Sequence, residues 1–186
     1  MKEKVRKADP MMWAFWSGVL VVAAVFLAGA YRSTIRVNPN SGRTLRIATA
    51  IEEAVGYFEG EYGGLPEVGS SAFDADDKEG RLLATMLRGL EADNGRMQNP
   101  RKIPFLSIET ANSRGKGGLL YGRGSEVLGI YDGWGEPFEI LLRKPGERGI
   151  TLVHRGKTVM IERSVVVFSK GEDRIAGTRD DVRTWK

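Results

Sequence analysis

Apolar residues are spread very unevenly along this chain. Residues 11–31, from Met11 to Tyr31, form a run of twenty-one without a charge, rich in Val, Ala, Leu, Phe and Trp. At about 1.5 Å per residue this run matches the roughly 30 Å hydrocarbon core of a bilayer, which predicts a transmembrane helix. The next periodic signal begins at Arg43. Leu45, Ala48, Ile51, Val55 and Phe58 recur at spacings of three and four, while Arg46, Glu52, Glu53 and Glu59 fall mostly on other faces. That period predicts an amphipathic helix, stopped by Gly63-Gly64 and Leu65-Pro66. A second helix is expected over 79–92, with Leu82, Leu83, Met86, Leu87 and Leu90 on its apolar side. The acidic group before it (Asp74, Asp76, Asp77, Glu79) reads as a helix cap in preference to a calcium site.

The last third changes period. Residues 138–143, 150–155, 158–163 and 164–169 are short, rich in β-branched or aromatic residues, and punctuated by Pro145-Gly146, Gly156 and Gly171. They predict four strands. Residues 67–78 and 94–101 read as turns and loops, and the Gly- and Ser-rich stretch 109–126 as mobile surface. Helices first and strands afterwards is an α+β order, with one antiparallel sheet packed against a helix. The expected organisation is a basic flank (1–10), a transmembrane helix (11–31), a linker (32–42) containing Asn38-Pro39-Asn40, and one globular domain (43–186).

The apolar run has two readings. Lys2, Lys4, Arg6 and Lys7 before it and Ala28-Gly29-Ala30 at its end suit a cleaved secretory signal. Its length, and Trp13 and Trp16 at the headgroup boundary, favour a retained anchor contacting lipid. Arg32, Arg36, Arg43 and Arg46 on the far side balance the count of positive charges. The tighter N-terminal cluster places the N-terminus in the cytoplasm and the domain outside, in the periplasm of a single-pass inner-membrane protein.

Composition then narrows the chemistry. The chain has no cysteine, which excludes disulfides, thiolate metal sites and cysteine catalysis. His154 is the only histidine, so a zinc or iron site is not expected. No Gly-x-Ser-x-Gly elbow is present, and Gly156-Lys157-Thr158 lacks the upstream glycine of a phosphate loop. No catalytic residues are marked out, and the expectation is a protein that is not an enzyme. The net charge of +4 owes four positive residues to the N-terminal flank, and the rest alternate with acids, which argues against a nucleic-acid surface.

Two segments carry tighter constraints. In Tyr131-Asp132-Gly133-Trp134-Gly135-Glu136-Pro137-Phe138, a Gly-x-Gly turn feeds a proline and an aromatic strand, with Trp134 as an apolar plug. The second runs from Ser169 to Trp185. It presents Glu172, Asp173, Asp180 and Asp181 around a glycine-containing turn, where carboxylates from both ends can converge on one hard cation.

In order along the chain stand an N-terminal apolar helix, Glu61 to Pro66 (EYGGLP), 99–106 (NPRKIPFL), Asp132 to Phe138 (DGWGEPF), and Ser169-x-Gly-x-Asp with Gly-Thr-x-Asp-Asp-Val-x-x-Trp185. This order resembles the major pseudopilin of type II secretion systems and its type IV pilin-like relatives. The resemblance implies a pilin-like α+β domain and a structural role in protein secretion. It implies assembly with other pseudopilins or secretion-system proteins, or as a homo-oligomer. It also implies a calcium ion in the C-terminal loop, held by Asp173, Asp180 and Asp181, with Glu172 a weaker candidate. Asp132, Gly133, Trp134, Gly135, Pro137 and Trp185 are its structural motif. Residues 9–15 lack the cleavage glycine and the glutamate of prepilins, so neither prepilin processing nor head-to-tail pairing through that glutamate is implied. The alternative is a membrane-tethered extracytoplasmic module that binds DNA or a partner protein on the same fold without polymerising.

Overall fold

The computed structural model describes residues 38–93 and 95–185. The expected basic flank, transmembrane helix and most of the linker lie outside these residues. Among the described residues no helix is long and apolar enough to cross a membrane.

A compact unit begins at Pro39. Helix α1 spans Pro39–Tyr62 and α2 spans Lys78–Leu87. Among the described residues the strands are β1 (Ala72–Asp74), between the two helices, and then β2 (Thr110–Ala111), β3 (Gly118–Tyr121), β4 (Val127–Tyr131), β5 (Glu139–Leu142), β6 (Ile150–His154), β7 (Lys157–Ile161), β8 (Val165–Ser169) and β9 (Val182–Arg183). The α+β class is as expected, but the single sheet is not. Three sheets form: antiparallel β1-β5-β8-β9, mixed β2-β3-β4 with β2 parallel to β3, and the β6-β7 hairpin.

Helix α1 starts inside the expected linker. Proline opens it at Pro39, where a missing N–H costs nothing because the first turn has no intrahelical acceptor. Its buried face is Thr44, Ile47, Ala48, Ile51, Ala54, Val55 and Phe58. Leu45, expected on this face, is instead 44% exposed, and the fully buried neighbour is Thr44. Burying the leucine would gain about 2 kcal/mol. Thr44 is there because its hydroxyl accepts the Gly133 N–H at 2.9 Å. Without it, a buried donor costing about 1–3 kcal/mol would be left over.

Strand β8 explains the layering. All five of its residues are buried, so it reads as a continuous apolar run covered on both sides. Val165 and Val167 join Ile140, Leu142 and the α1 stripe in the main core. Val166 and Phe168 point the other way, into a smaller core with Ile150, Ile161 and Trp185. The sheet is therefore covered by α1 on one face and by the β6-β7 hairpin and chain end on the other. Helix α2 joins the main core through Leu83, Ala84, Met86 and Leu87, while Leu82 and Leu90 are exposed at 39% and 45%.

The Gly- and Ser-rich stretch expected to be mobile holds strands β2 and β3 and two short 3-10 turns, Arg114–Lys116 and Arg123–Ser125. Leu119 on β3 is fully buried, and β3 pairs with β4 from Gly118↔Tyr131 onward. The glycines there allow close approach: a Cβ on Gly118 would stand 2.4 Å from the Glu109 carbonyl oxygen. The acidic cluster also departs from expectation. Asp77 occupies the N-cap position of α2 but makes no side-chain cap bond. Its Oδ2 accepts the outward N–H of Asp74 on β1 at 3.3 Å. Ser70 Oγ likewise donates to the Ala72 carbonyl at 2.9 Å and accepts its N–H at 3.3 Å. The open edge of the four-stranded sheet is closed by its own side chains.

Glycines in the two helices are not equivalent. A Cβ on Gly80 would lie 2.3 Å from the Asp74 carbonyl oxygen, whereas Gly56 and Gly60 have nothing within 4 Å. Gly80→Ala is expected to destabilise the chain by about 2 kcal/mol through overpacking. Gly56→Ala and Gly60→Ala are each expected to stabilise it by about 0.5–1 kcal/mol. Denaturant midpoints of the detergent-solubilised chain measure all three.

Candidate functional site

The two constrained segments of the sequence meet in space. Asp132 ends β4 and is fully buried. Its Oδ1 accepts the Trp134 N–H at 2.8 Å and the Glu136 N–H at 2.9 Å, closing the turn. Its Oδ2 accepts the hydroxyl of Ser169, at the end of β8. The same hydroxyl oxygen accepts the Gly171 N–H at 3.0 Å, which fixes the start of the C-terminal loop. One carboxylate thus organises both motifs.

The turn glycines have different reasons. Gly135 adopts φ +92°, a conformation that side chains disfavour. Gly133 is required by space, because a Cβ would stand 2.8 Å from that of Asn40 on α1. Pro137 bridges back to Tyr131. Trp134, expected as a plug, is only half-buried. The buried tryptophan is Trp185, edge-on to Phe168 at 5.6 Å and to His154 at 5.8 Å.

The loop itself is laced by carboxylates. Asp173 Oδ1 accepts the Ile175 N–H at 2.8 Å, and Asp180 Oδ2 accepts the Asp173 N–H at 3.0 Å. Asp181 Oδ2 accepts the Gly177 N–H at 2.7 Å. The Thr178 hydroxyl donates to Asp180 Oδ1 at 2.6 Å and lies 3.3 Å from Asp181 Oδ1. Gly171, at φ +71°, packs so closely on Asp180 that a Cβ would meet its carbonyl oxygen at 2.5 Å. These hydrogen bonds favour the charged form of Asp180. The Thr178 hydroxyl first, and the Asp173 N–H second, lower its pKa to about 2. Arg155 at the β6-β7 turn donates to the Thr178 carbonyl at 2.6 Å, so the hairpin tip supports the loop.

The four expected calcium ligands are not equivalent. Glu172 and Asp173 are exposed. The Asp181 side chain is only 1% exposed, with His154 Nδ1 at 3.7 Å from its Oδ2. The Oδ1 atoms of Asp180 and Asp181 both face the Thr178 hydroxyl, an oxygen-only arrangement whose chemistry suits a hard cation. Among the described residues no group of three or more acidic, histidine or cysteine side chains gathers as a metal cluster. A groove of about 770 Å³ lies elsewhere, between 63–71 and 142–147, and shares no residue with either motif. Comparison with protein-family models, curated proteins and solved structures returns no significant match.

Sequence reasoning missed Thr44, Ser169 as the link to Asp132, and Thr178. Each is a hydroxyl whose role depends on a partner distant in sequence, except Thr178, which the Gly-Thr-x-Asp-Asp spacing places beside both carboxylates.

Asp132→Ala strands two part-buried N–H groups and the buried Ser169 hydroxyl, and is expected to cost about 3 kcal/mol in denaturant unfolding. Asp180 has a folded pKa below the ordinary carboxylate value of 3.8. Its contribution is complete above that value and is lost as pH falls toward about 2. The protection of the Asp173 amide, measured against its intrinsic exchange rate at each pH, is expected to fall over that window, and Asp180→Asn to remove that fall.

Proposed function

We propose that this chain is a membrane-anchored, pseudopilin-like structural component of a type II secretion or type IV pilus-like system. The observation that carries the reading is the hydrogen-bonded link from Asp132 through Ser169 to Gly171. It joins the two segments on which the family resemblance chiefly rests, and Gly133 fastens them to α1. Helix α1, packed along the antiparallel sheet, supports the same reading.

The exposed face of α1 supports assembly. Leu45 and Tyr57 are 44% and 64% exposed there, and Gly42, Gly56 and Gly60 carry open space above them. Glycine costs a helix about 1 kcal/mol relative to alanine, so three on one exposed face are unexplained by the isolated domain. Close packing of another helix on that face would account for them. Partners are other copies of the chain or related pseudopilins.

Calcium belongs to this proposal. Asp180 and Asp181 would supply its main carboxylates and Asp173 a third, with Glu172 at the margin. Bound there, the ion would tie the ends of the loop together and balance the buried charge of Asp181.

A photo-crosslinking residue in place of Tyr57, in the full chain in native membranes, is expected to give a ladder of higher-order species. Monomer alone, with retention on DNA that weakens steeply with salt, would instead favour the tethered binding module. For the metal, calcium is expected to raise the melting temperature of the full chain over chelator, and Asp181→Asn to abolish the shift. Equal melting in both conditions would show that the loop is closed by its hydrogen bonds alone.

A further inference from the structure

The charges of α1 run against its own dipole. A helix is stabilised by acids near its N-terminus and bases near its C-terminus, each contributing about 0.3–1 kcal/mol. Here the first half carries Arg43 and Arg46, and the second half Glu52, Glu53, Glu59 and Glu61, with no acid in the first turn and no base in the last. Salt bridges offset the second half, where Glu52, Glu59 and Glu61 pair with Arg163, Arg143 and Arg101. In the first half more cations gather.

The turn 132–136 lies against the start of α1, since Gly133 abuts Asn40. The loop 113–117 lies against that turn, since a Cβ on Gly135 would stand within 3.3 Å of Arg114 and Gly115 backbone atoms. Arg114 and Lys116 are therefore displayed at the end of the domain that holds Arg43 and Arg46. Glu109 faces Arg43, and Asp76 lies 3.7 Å from Arg114. Arg43, Arg46, Arg114 and Lys116 thus stand beside Glu109 and Asp76, while the turn's own Asp132 is buried and its Glu136 is held by Arg174 at 3.1 Å, with the half-buried Trp134 in the same turn. Arg32 and Arg36 lie in the chain leading to this end. Residues 32–38 separate the apolar run from α1, a length that spans at most about 25 Å.

We propose that this end of the domain, Arg43, Arg46, Arg114 and Lys116 around Trp134, is a docking surface for the anionic phospholipid headgroups of the bilayer. The proposal rests on residues 11–31 being a retained membrane anchor. It accounts for the reversed charge of α1: basic residues crowd the end tethered to lipid, and acidic ones stand at the other. Trp134 suits the same boundary, with a ring that partitions into the headgroup layer. A juxtamembrane cation near an anionic surface contributes enough to change the equilibrium about five-fold.

The chain has no cysteine, so a single introduced one can be labelled without ambiguity. The test uses the full chain in phosphatidylcholine vesicles with and without phosphatidylglycerol. A nitroxide at Ser113→Cys is read by its accessibility to an aqueous nickel chelate, with Glu147→Cys as the distant control. The label at 113 is expected to be shielded only when phosphatidylglycerol is present, and exposed again at high salt. The label at 147 stays exposed throughout. Arg46→Gln and Lys116→Gln, made singly and together, should each weaken the preference for anionic vesicles about five-fold. Equal exposure of the 113 label in both vesicle types, with the chain floating with the vesicles, overturns the docking surface and leaves the anchor intact. Failure to float overturns the anchor and the docking surface with it. Shielding that appears only on adding duplex DNA also overturns the proposal, in favour of a nucleic-acid partner.

Discussion

The buried carboxylate of Asp132 makes three hydrogen bonds that no apolar residue could replace. Two close its own turn through the Trp134 and Glu136 N–H groups, and the third reaches the Ser169 hydroxyl, 37 positions along the chain. Ser169 passes the connection to Gly171, and Gly133 passes it to Thr44 on α1. The helix, the β4-β5 turn and the C-terminal loop therefore share one polar junction. A carboxylate out of water is tolerated only when fully satisfied, so each partner holds the others in register.

Around that junction the packing is ordered by β8. Because both its faces are covered, the sheet supports two cores, and the chain end closes the second by laying Trp185 against Phe168 and His154. The C-terminal loop is thus held at both ends by apolar contacts and across its middle by hydrogen bonds. Its carboxylates bond to the main-chain N–H groups of Asp173, Ile175 and Gly177. This gives the loop a defined shape from its own residues.

Local periodicity disclosed both helices and all four late strands, because each presents a strong apolar pattern over its own length, although α2 stops at Leu87, five residues before the expected end. The loop carboxylates and the Asp132 turn were legible for a similar reason, through residue types at tight spacing. Strands β1, β3 and β4 were not. β1 is three residues long and forms by pairing with a distant segment, Phe73 with Ile140, while β3 and β4 each contain a glycine. Thr44 was hidden because a hydroxyl in an apolar stripe looks like an interruption until its partner at Gly133 is known. Asp77 sits where a cap is expected, and only the position of β1 reveals that its oxygen serves a strand.

That strand edge bears on how copies of the chain can meet. A sheet border with bare main-chain groups invites a further strand from a neighbour, the route to open-ended fibrous aggregates. With Ser70 and Asp77 already occupying the outward groups of β1, that border has nothing to offer an incoming backbone. Any contact between copies on this side would have to be made by side chains, without extending the sheet.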